Sequence, residues 1–323
     1  MKGMLIGKCN KVLLSMALLF SVFAAPSFSQ TRLDTNEGLS VILLGTGVPI
    51  PNPARATACT AVLVDDKVFL VDTGRNCVVP LNQAGIQDVE GIFYTHYHSD
   101  HFIGLGEILL DLSIDGIDKT IAVRGPVGAQ EIVDGIVATY RLDLSYRLSH
   151  HGDKFSSQVM KPLVTEYEPG VVLEKDGLKV SMFSVCHPPI VPAVGYRFEY
   201  KGEVIAVSGD SLVCSELAAG VRGADILVAE AENAQMFAPA LGMAKQNGDT
   251  RRLEMIEEGM EYHAETLALA QMAQDNGVKK LALTHLFPSI PPTDAAEALF
   301  VQGMSELYEG PILVGRDGMR VDP

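Results

Sequence analysis

The chain has 323 residues, 47% of them apolar and 20% charged, which is enough to bury a full globular core and too apolar for a disordered chain. Its formal net charge is −15 and it has no block of Lys and Arg, so long-range attraction to polyanions is not expected.

At the N-terminus, Lys2, Lys8 and Lys11 precede an uncharged apolar run over 12–25, and small residues follow at Ser27 and Ser29. This pattern predicts a signal peptide over 1–29, too short for a comfortable membrane span, and one mature domain over 30–323 in the periplasm or outside the cell, with no membrane contact after cleavage. The three lysines would leave with the leader and take the net charge to −18. Of the five cysteines, Cys9 leaves too. The irregular spacing of Cys59, Cys77, Cys186 and Cys214 in a domain of this size favours buried free thiols over disulfides.

Apolar runs predict strands over 40–44, 60–64 and 67–71, the last two joined by the turn Asp65-Asp66. A helix is expected over 78–84, a strand over 92–95, a helix over 102–112, a strand over 121–124 and a helix over 129–140. His150 and His151 read as part of a solvated polar loop. Strands follow over 178–185, 194–200, 203–208 and 224–229, then a helix over 264–275 and a strand over 280–284. The stretch 237–260, rich in Met, Gly and charge, fits no element and reads as a lid or a loose excursion. Alternation of strand and helix predicts an α/β layered fold.

The chemistry concentrates where the strand over 92–95 ends, in Thr95-His96-Tyr97-His98-Ser99-Asp100-His101. In an extended segment His96 and His98 share a side, and Asp100 and His101 fall in the turn beyond. Three imidazoles and a carboxylate in six positions can serve two neighbouring metals. Further ligand-type residues stand at the ends of other apolar strands: His187, Asp210 and His285.

These stretches resemble the metallo-β-lactamase-fold hydrolases, and within them the RNase Z and arylsulfatase-like branch. The likeness is carried by residues 44–51 with Arg55, Asp72-Thr73-Gly74, the 96–101 cluster, Gly125-Pro126, His187 with Gly195-Tyr196, Ser208-Gly209-Asp210, Glu230, His263-Ala264-Glu265-Thr266 and Thr284-His285-Leu286-Phe287. It implies a four-layer αβ/βα sandwich of two similar halves with the metals in a cleft between sheet edges. It also implies that His96, His98 and His187 hold one zinc, that Asp100, His101 and His285 hold a second, and that Asp210 bridges them, with Mn2+ or Fe2+ as alternatives to Zn2+. Asp100, His263 and Glu230 are the expected catalytic residues, with Glu230 orienting the imidazole of His263. Asp72 is expected to support a ligand ring from behind.

The expected reaction is hydrolysis of a small phosphodiester or sulfate ester by metal-activated water. Alternatives are a β-lactam or lactone hydrolase, a 3′-tRNA-type endoribonuclease, and a metal-binding module without catalysis; the last is disfavoured because every ligand position is filled. RNase Z enzymes carry a long tRNA-clamping arm between the positions of His187 and Asp210, which here lie 23 residues apart. That spacing and the acidity predict a small-molecule substrate rather than nucleic acid, with a second copy of the chain as the other candidate partner.

Overall fold

The computed structural model describes residues 37–323; the expected signal peptide lies outside the described residues. In chain order the strands are β1 (Leu39–Gly45), β2 (Cys59–Val64), β3 (Lys67–Val71), β4 (Gly91–Phe93), β5 (Ala122–Gly125), β6 (Leu163–Glu166), β7 (Gly170–Lys175), β8 (Leu178–Ser184), β9 (Val194–Tyr200), β10 (Glu203–Val207), β11 (Ile226–Glu232), β12 (Leu281–Phe287), β13 (Ile312–Val314) and β14 (Met319–Val321). They form two seven-stranded sheets, ordered β14-β1-β2-β3-β4-β5-β6 and β13-β12-β11-β10-β9-β8-β7.

Three apolar clusters separate the layers. One lies between the sheets around Phe69, Phe93, Tyr196 and Phe198, and one lies under the helices on each outer face. The result is the expected four-layer sandwich. It also explains the sequence pattern: every residue of β1 and β2 is buried, since both faces are covered, whereas β8 alternates buried and open positions. Within each sheet most strands that lead to the site pair in parallel, β3 with β4 and β4 with β5 in one, β10 with β11 and β11 with β12 in the other. Parallel strands need crossovers, which is why helices such as Val78–Gln83, Leu105–Ile114 and Thr266–Asp275 fall between them.

Four elements differ from expectation. The helix expected over 129–140 runs as Ala129–His151. Only Ala129 and Val133 in its first turns are fully buried, while Ile136, Val137, Tyr140 and Leu144 pack half-buried against the core, so the apolar signal fades, and an Asp143–Arg147 pair one turn apart supports the exposed end. His150 and His151 are therefore exposed residues of its last turn rather than of a loop. Second, the unassigned stretch 237–260 is a helical pair, Ala238–Asn247 and Thr250–Gly259, broken at left-handed Gly248 and restarted by the Asp249 side chain, which accepts from Arg252 N. Third, β12 does not stop before His285 but runs through it. Fourth, the short edge strands β6, β7, β13 and β14 carry too few buried residues to announce themselves. Among the described residues no helix is long and apolar enough to cross a membrane.

The inter-sheet layer is the main support of the cleft. Phe93 is fully buried, with ring centroids 5.1 Å from Tyr196 and 5.5 Å from Phe198. Phe93→Ala should lower the free energy of unfolding by about 3–5 kcal/mol, read from the midpoint of a urea titration; a loss below about 1 kcal/mol would show that the layer closes over the gap.

Candidate metal centre

β4 ends at Phe93, the chain bends at Thr95, and His98, itself extended, stands at the N-cap of the short helix Ser99–Phe102. His96 and His98 thus stand before the helix, while Asp100 and His101 sit in its first turn, both buried. Behind them the two sheets are stitched together: Val194 N donates to Thr95 O at 3.0 Å, and the Tyr196 hydroxyl donates to Tyr94 O at 2.7 Å. Gly209, at φ +64°, passes so close that a Cβ there would lie 2.8 Å from the Cβ of Thr95. Only glycine suits both the conformation and the gap, and it delivers Asp210 from β10 into the cluster.

Every ligand-type residue expected from the sequence arrives. His96 Nε2 and His187 Nε2 lie 3.0 and 3.3 Å from His98 Nδ1. Asp100 Oδ2 lies 3.7 Å from His101 Nε2 and 3.2 Å from His285 Nε2. Between the groups stands Asp210, with Oδ2 3.9 Å from His96 Nε2 and 3.4 Å from both His101 Nε2 and His285 Nε2. Ligand atoms of His96, His98, His187 and Asp210 fall within 4.8 Å of one another, as do those of Asp100, His101 and His285. His285 reaches the site through a β-bulge. Pairing of β11 with β12 jumps from Glu230↔Thr284 to Ala231↔Leu286, leaving His285 unpaired at φ +42° and turned inward.

The donor chemistry fits divalent cations. His98 Nδ1 faces two imidazole nitrogens at 3.0 and 3.3 Å and carries at most one hydrogen to offer them, whereas a shared cation would satisfy all three. Among the described residues, His101 Nε2 and Asp210 Oδ1 are buried without a hydrogen-bond partner. Burial, with the neighbouring His101, pushes His96 well below the usual imidazole range, and burial takes His187 down to about 4, so both are neutral and ready to ligate at pH 7. Burial also works against charge on His101 and His285, but the nearby carboxylates of Asp210 and Asp100 raise both. Metal entering there must displace protons.

Asp72 sits behind His101 as expected, with Oδ2 2.8 Å from His101 Nδ1. It is held at φ +61° by Thr95, whose N and Oγ1 donate to its two oxygens at 2.9 and 2.8 Å. Glu230 and His263 also meet, with Oε2 2.5 Å from Nδ1. Burial and the charge of Asp210 push Glu230 up, and burial pushes His263 down, so a proton is shared between them and Nε2 is the nitrogen left for substrate. A ring nitrogen of His263 also comes within 4.8 Å of ligand atoms of Asp210 and His285.

Sequence reasoning missed three supports, because two of them act through backbone and none belongs to a ligand-type residue. Ser211 N donates to Glu230 Oε1, Tyr262 O accepts from His187 Nδ1, and Thr95 clamps Asp72. The expectation of free thiols holds for buried Cys59 and Cys77 and fails for Cys186 and Cys214, which form a disulfide. Converging on one centre, the segments that carry His187 and Asp210 run side by side, with Leu212 N donating to Cys186 O at 2.7 Å, and this brings the two sulfurs together.

Residues 53–115 match the model of the metallo-beta-lactamase superfamily. Over 263 residues the chain is 32% identical to ribonuclease Z of Mycobacterium sp. (strain KMS), covering 80% of this chain and 88% of that one. Among solved structures it resembles human tRNase Z, short form, with a TM-score of 0.61 and 22% identity over 88% of this chain and 98% of that one. It also resembles the metallo-beta-lactamase fold protein YhfI from Bacillus subtilis, with a TM-score of 0.62 and 16% identity over 88% of this chain and all of that one. The fold is that of the metallo-β-lactamases. The expectation of a small-molecule substrate in place of nucleic acid does not stand against relatives that bear the name of an RNA-cleaving enzyme. Net charge is an average over the surface and is screened beyond about 8 Å at physiological salt, so it does not decide what a local cleft binds. The short interval expected between His187 and Asp210 is as the sequence spacing implies, since β9 and β10 fill it.

Asp72→Ala should weaken metal affinity by on the order of 10–100-fold, measured by competition with a chromogenic chelator; unchanged affinity would show that Asp72 only shapes the loop.

Proposed function

This chain belongs to the ribonuclease Z family, and from that premise we propose that it is an exported, two-metal hydrolase that cleaves phosphodiester bonds in RNA. The observation that carries the reading is Asp210 Oδ2, which faces nitrogens of both ligand groups at 3.4–3.9 Å and so would offer a carboxylate to a cation held by either. His96, His98 and His187 would hold one ion and Asp100, His101 and His285 the other; nitrogen and carboxylate donors suit Zn2+ and also Mn2+ or Fe2+. Bound there, such ions supply a water acidified toward neutral pH and positive charge for the phosphoryl oxygens.

The chain's own residues do the rest. Thr95 and Asp72 fix the ring of His101, and the Tyr262 carbonyl fixes that of His187. Glu230, anchored by Ser211 N, holds His263 beside Asp210 and His285. As water oxygen bonds to phosphorus and the bond to the leaving oxygen breaks, His263 gives that oxygen its Nε2 proton while the proton shared with Glu230 settles on Nδ1, and the proton released by the attacking water restores the pair. Asp100 brings a charged carboxylate to its ligand group: burial opposes the charge, and His101 and His285 override it and lower the carboxyl. Export is supported by the leader-like residues 1–29 and by the Cys186–Cys214 disulfide, a bond that persists in oxidising compartments.

Purified protein should carry about two metal ions per chain and hydrolyse bis-p-nitrophenyl phosphate and a single-stranded RNA oligonucleotide, with both activities lost to chelation and no turnover of nitrocefin. His263→Ala should slow phosphodiester turnover by on the order of 10²–10⁴-fold with metal content intact. Absence of metal after reconstitution, or an unimpaired variant, would contradict the mechanism. Expressed with its leader in a Gram-negative host, the chain should fractionate with periplasmic markers, and non-reducing peptide mapping should recover Cys186 joined to Cys214; cytoplasmic retention would remove the export claim.

A further inference from the structure

The helical pair Ala238–Asn247 and Thr250–Gly259 does not merely close the fold. Together with the end of β12 and residues 48–50 it encloses a cavity of about 470 Å³, within the ~300–1,000 Å³ typical of small-ligand sites. The walls are apolar and flat: Phe237 and Phe287, with ring centroids 4.6 Å apart, and the thioethers of Met236 and Met255. One side is made by Tyr262 and His263, and both touch the metal centre. The ring of Tyr262 packs edge-on against that of His187 with centroids 5.2 Å apart, and the ring of His263 lies 5.1 Å from that of Phe287. Cavity and metal centre are therefore continuous through His263.

This continuity constrains a substrate. With a phosphate at the ligand cluster and its leaving oxygen at His263, the next group of the chain must enter the cavity or pass over its mouth. In a strand of RNA the only flat, weakly solvated group within one nucleotide of a phosphate is the base. Aromatic rings and polarisable sulfur are suited to stack on it. Arg252, exposed at the rim, offers a cation to an adjoining phosphate. Few polar side chains line the walls, so binding through stacking rather than through base edges follows, and with it tolerance of base identity.

We propose that this cavity is a nucleobase subsite for the nucleotide that flanks the scissile phosphate. The proposal rests on the phosphodiesterase reading above and adds the group that the cleft grips beside the metals.

Zinc-loaded protein labelled with [methyl-13C]methionine reads the cavity directly through Met236 and Met255. Titration with adenosine or uridine 5′-monophosphate should shift both methyl resonances, whereas ribose 5-phosphate, which lacks the base, should leave them in place. Ala240→Trp, which fills the cavity, should weaken the nucleotide response at least about tenfold with zinc content unchanged; Met255→Ala, read at Met236, serves if that variant does not fold. A single-stranded RNA with an abasic residue beside the cleavage position should be cut about tenfold more slowly than its parent by the wild type and lose that difference in the variant. Silent methyls with nucleotides, equal shifts with ribose 5-phosphate, or a response confined to octyl phosphate would each overturn the subsite. Ester turnover with silent methyls would defeat the subsite alone; shifted methyls without turnover would defeat the hydrolase reading and leave the subsite standing.

Discussion

Everything in the cleft follows from one crowding problem: imidazole nitrogens and carboxylate oxygens pressed within 3–4 Å of one another in the interior of a protein. One imidazole hydrogen cannot serve two facing nitrogens at once, and buried carboxylates need a positive partner. Divalent cations would resolve both difficulties at once. The surroundings are then the means of holding that arrangement open, through Asp72 and Thr95 behind one ring, the Tyr262 carbonyl behind another, and Gly209 thinning the backbone so that Asp210 can enter.

The sandwich provides these groups because both sheets end their strands at one edge. β3 and β4 of one sheet bring Asp72 and the 96–101 cluster; β8, β10, β11 and β12 of the other bring His187, Asp210, Glu230 and His285. Two local departures from regular structure do the final aiming, the left-handed backbone of Asp72 and the bulge at His285. Strained or irregular backbone persists only where its surroundings over-determine it, and here these are the stitched sheets and the buried aromatic layer beneath. The Cys186–Cys214 disulfide adds a covalent tie between the two segments that carry His187 and Asp210.

The error over nucleic acid is instructive. A net charge describes the field far from a molecule, while cleavage depends on a few groups inside one Debye length. A likeness to ribonuclease Z through most of the chain outweighs an average over 323 residues. An apolar, aromatic-lined cavity next to His263 is likewise invisible to a count of lysines.

The sequence by itself determined the α/β class, the buried central strands and the identity of the ligand-type residues, because each is a local pattern: a continuous apolar run is a strand covered on both faces, and H-x-H-x-D-H is metal chemistry within six positions. It also marked His187, Asp210 and His285 by their place at strand ends, and the likeness to a known family pointed to Glu230 and His263. Only the tertiary structure decided that His285 enters through a bulge in a continuing strand, that Cys186 and Cys214 are joined, that residues 237–260 are two helices that wall a cavity, and that Ser211 and Tyr262 steady the site with backbone atoms. Those features are made by contacts between segments tens of residues apart, and a backbone carbonyl or amide bears no trace in the residue letter of the role it is given.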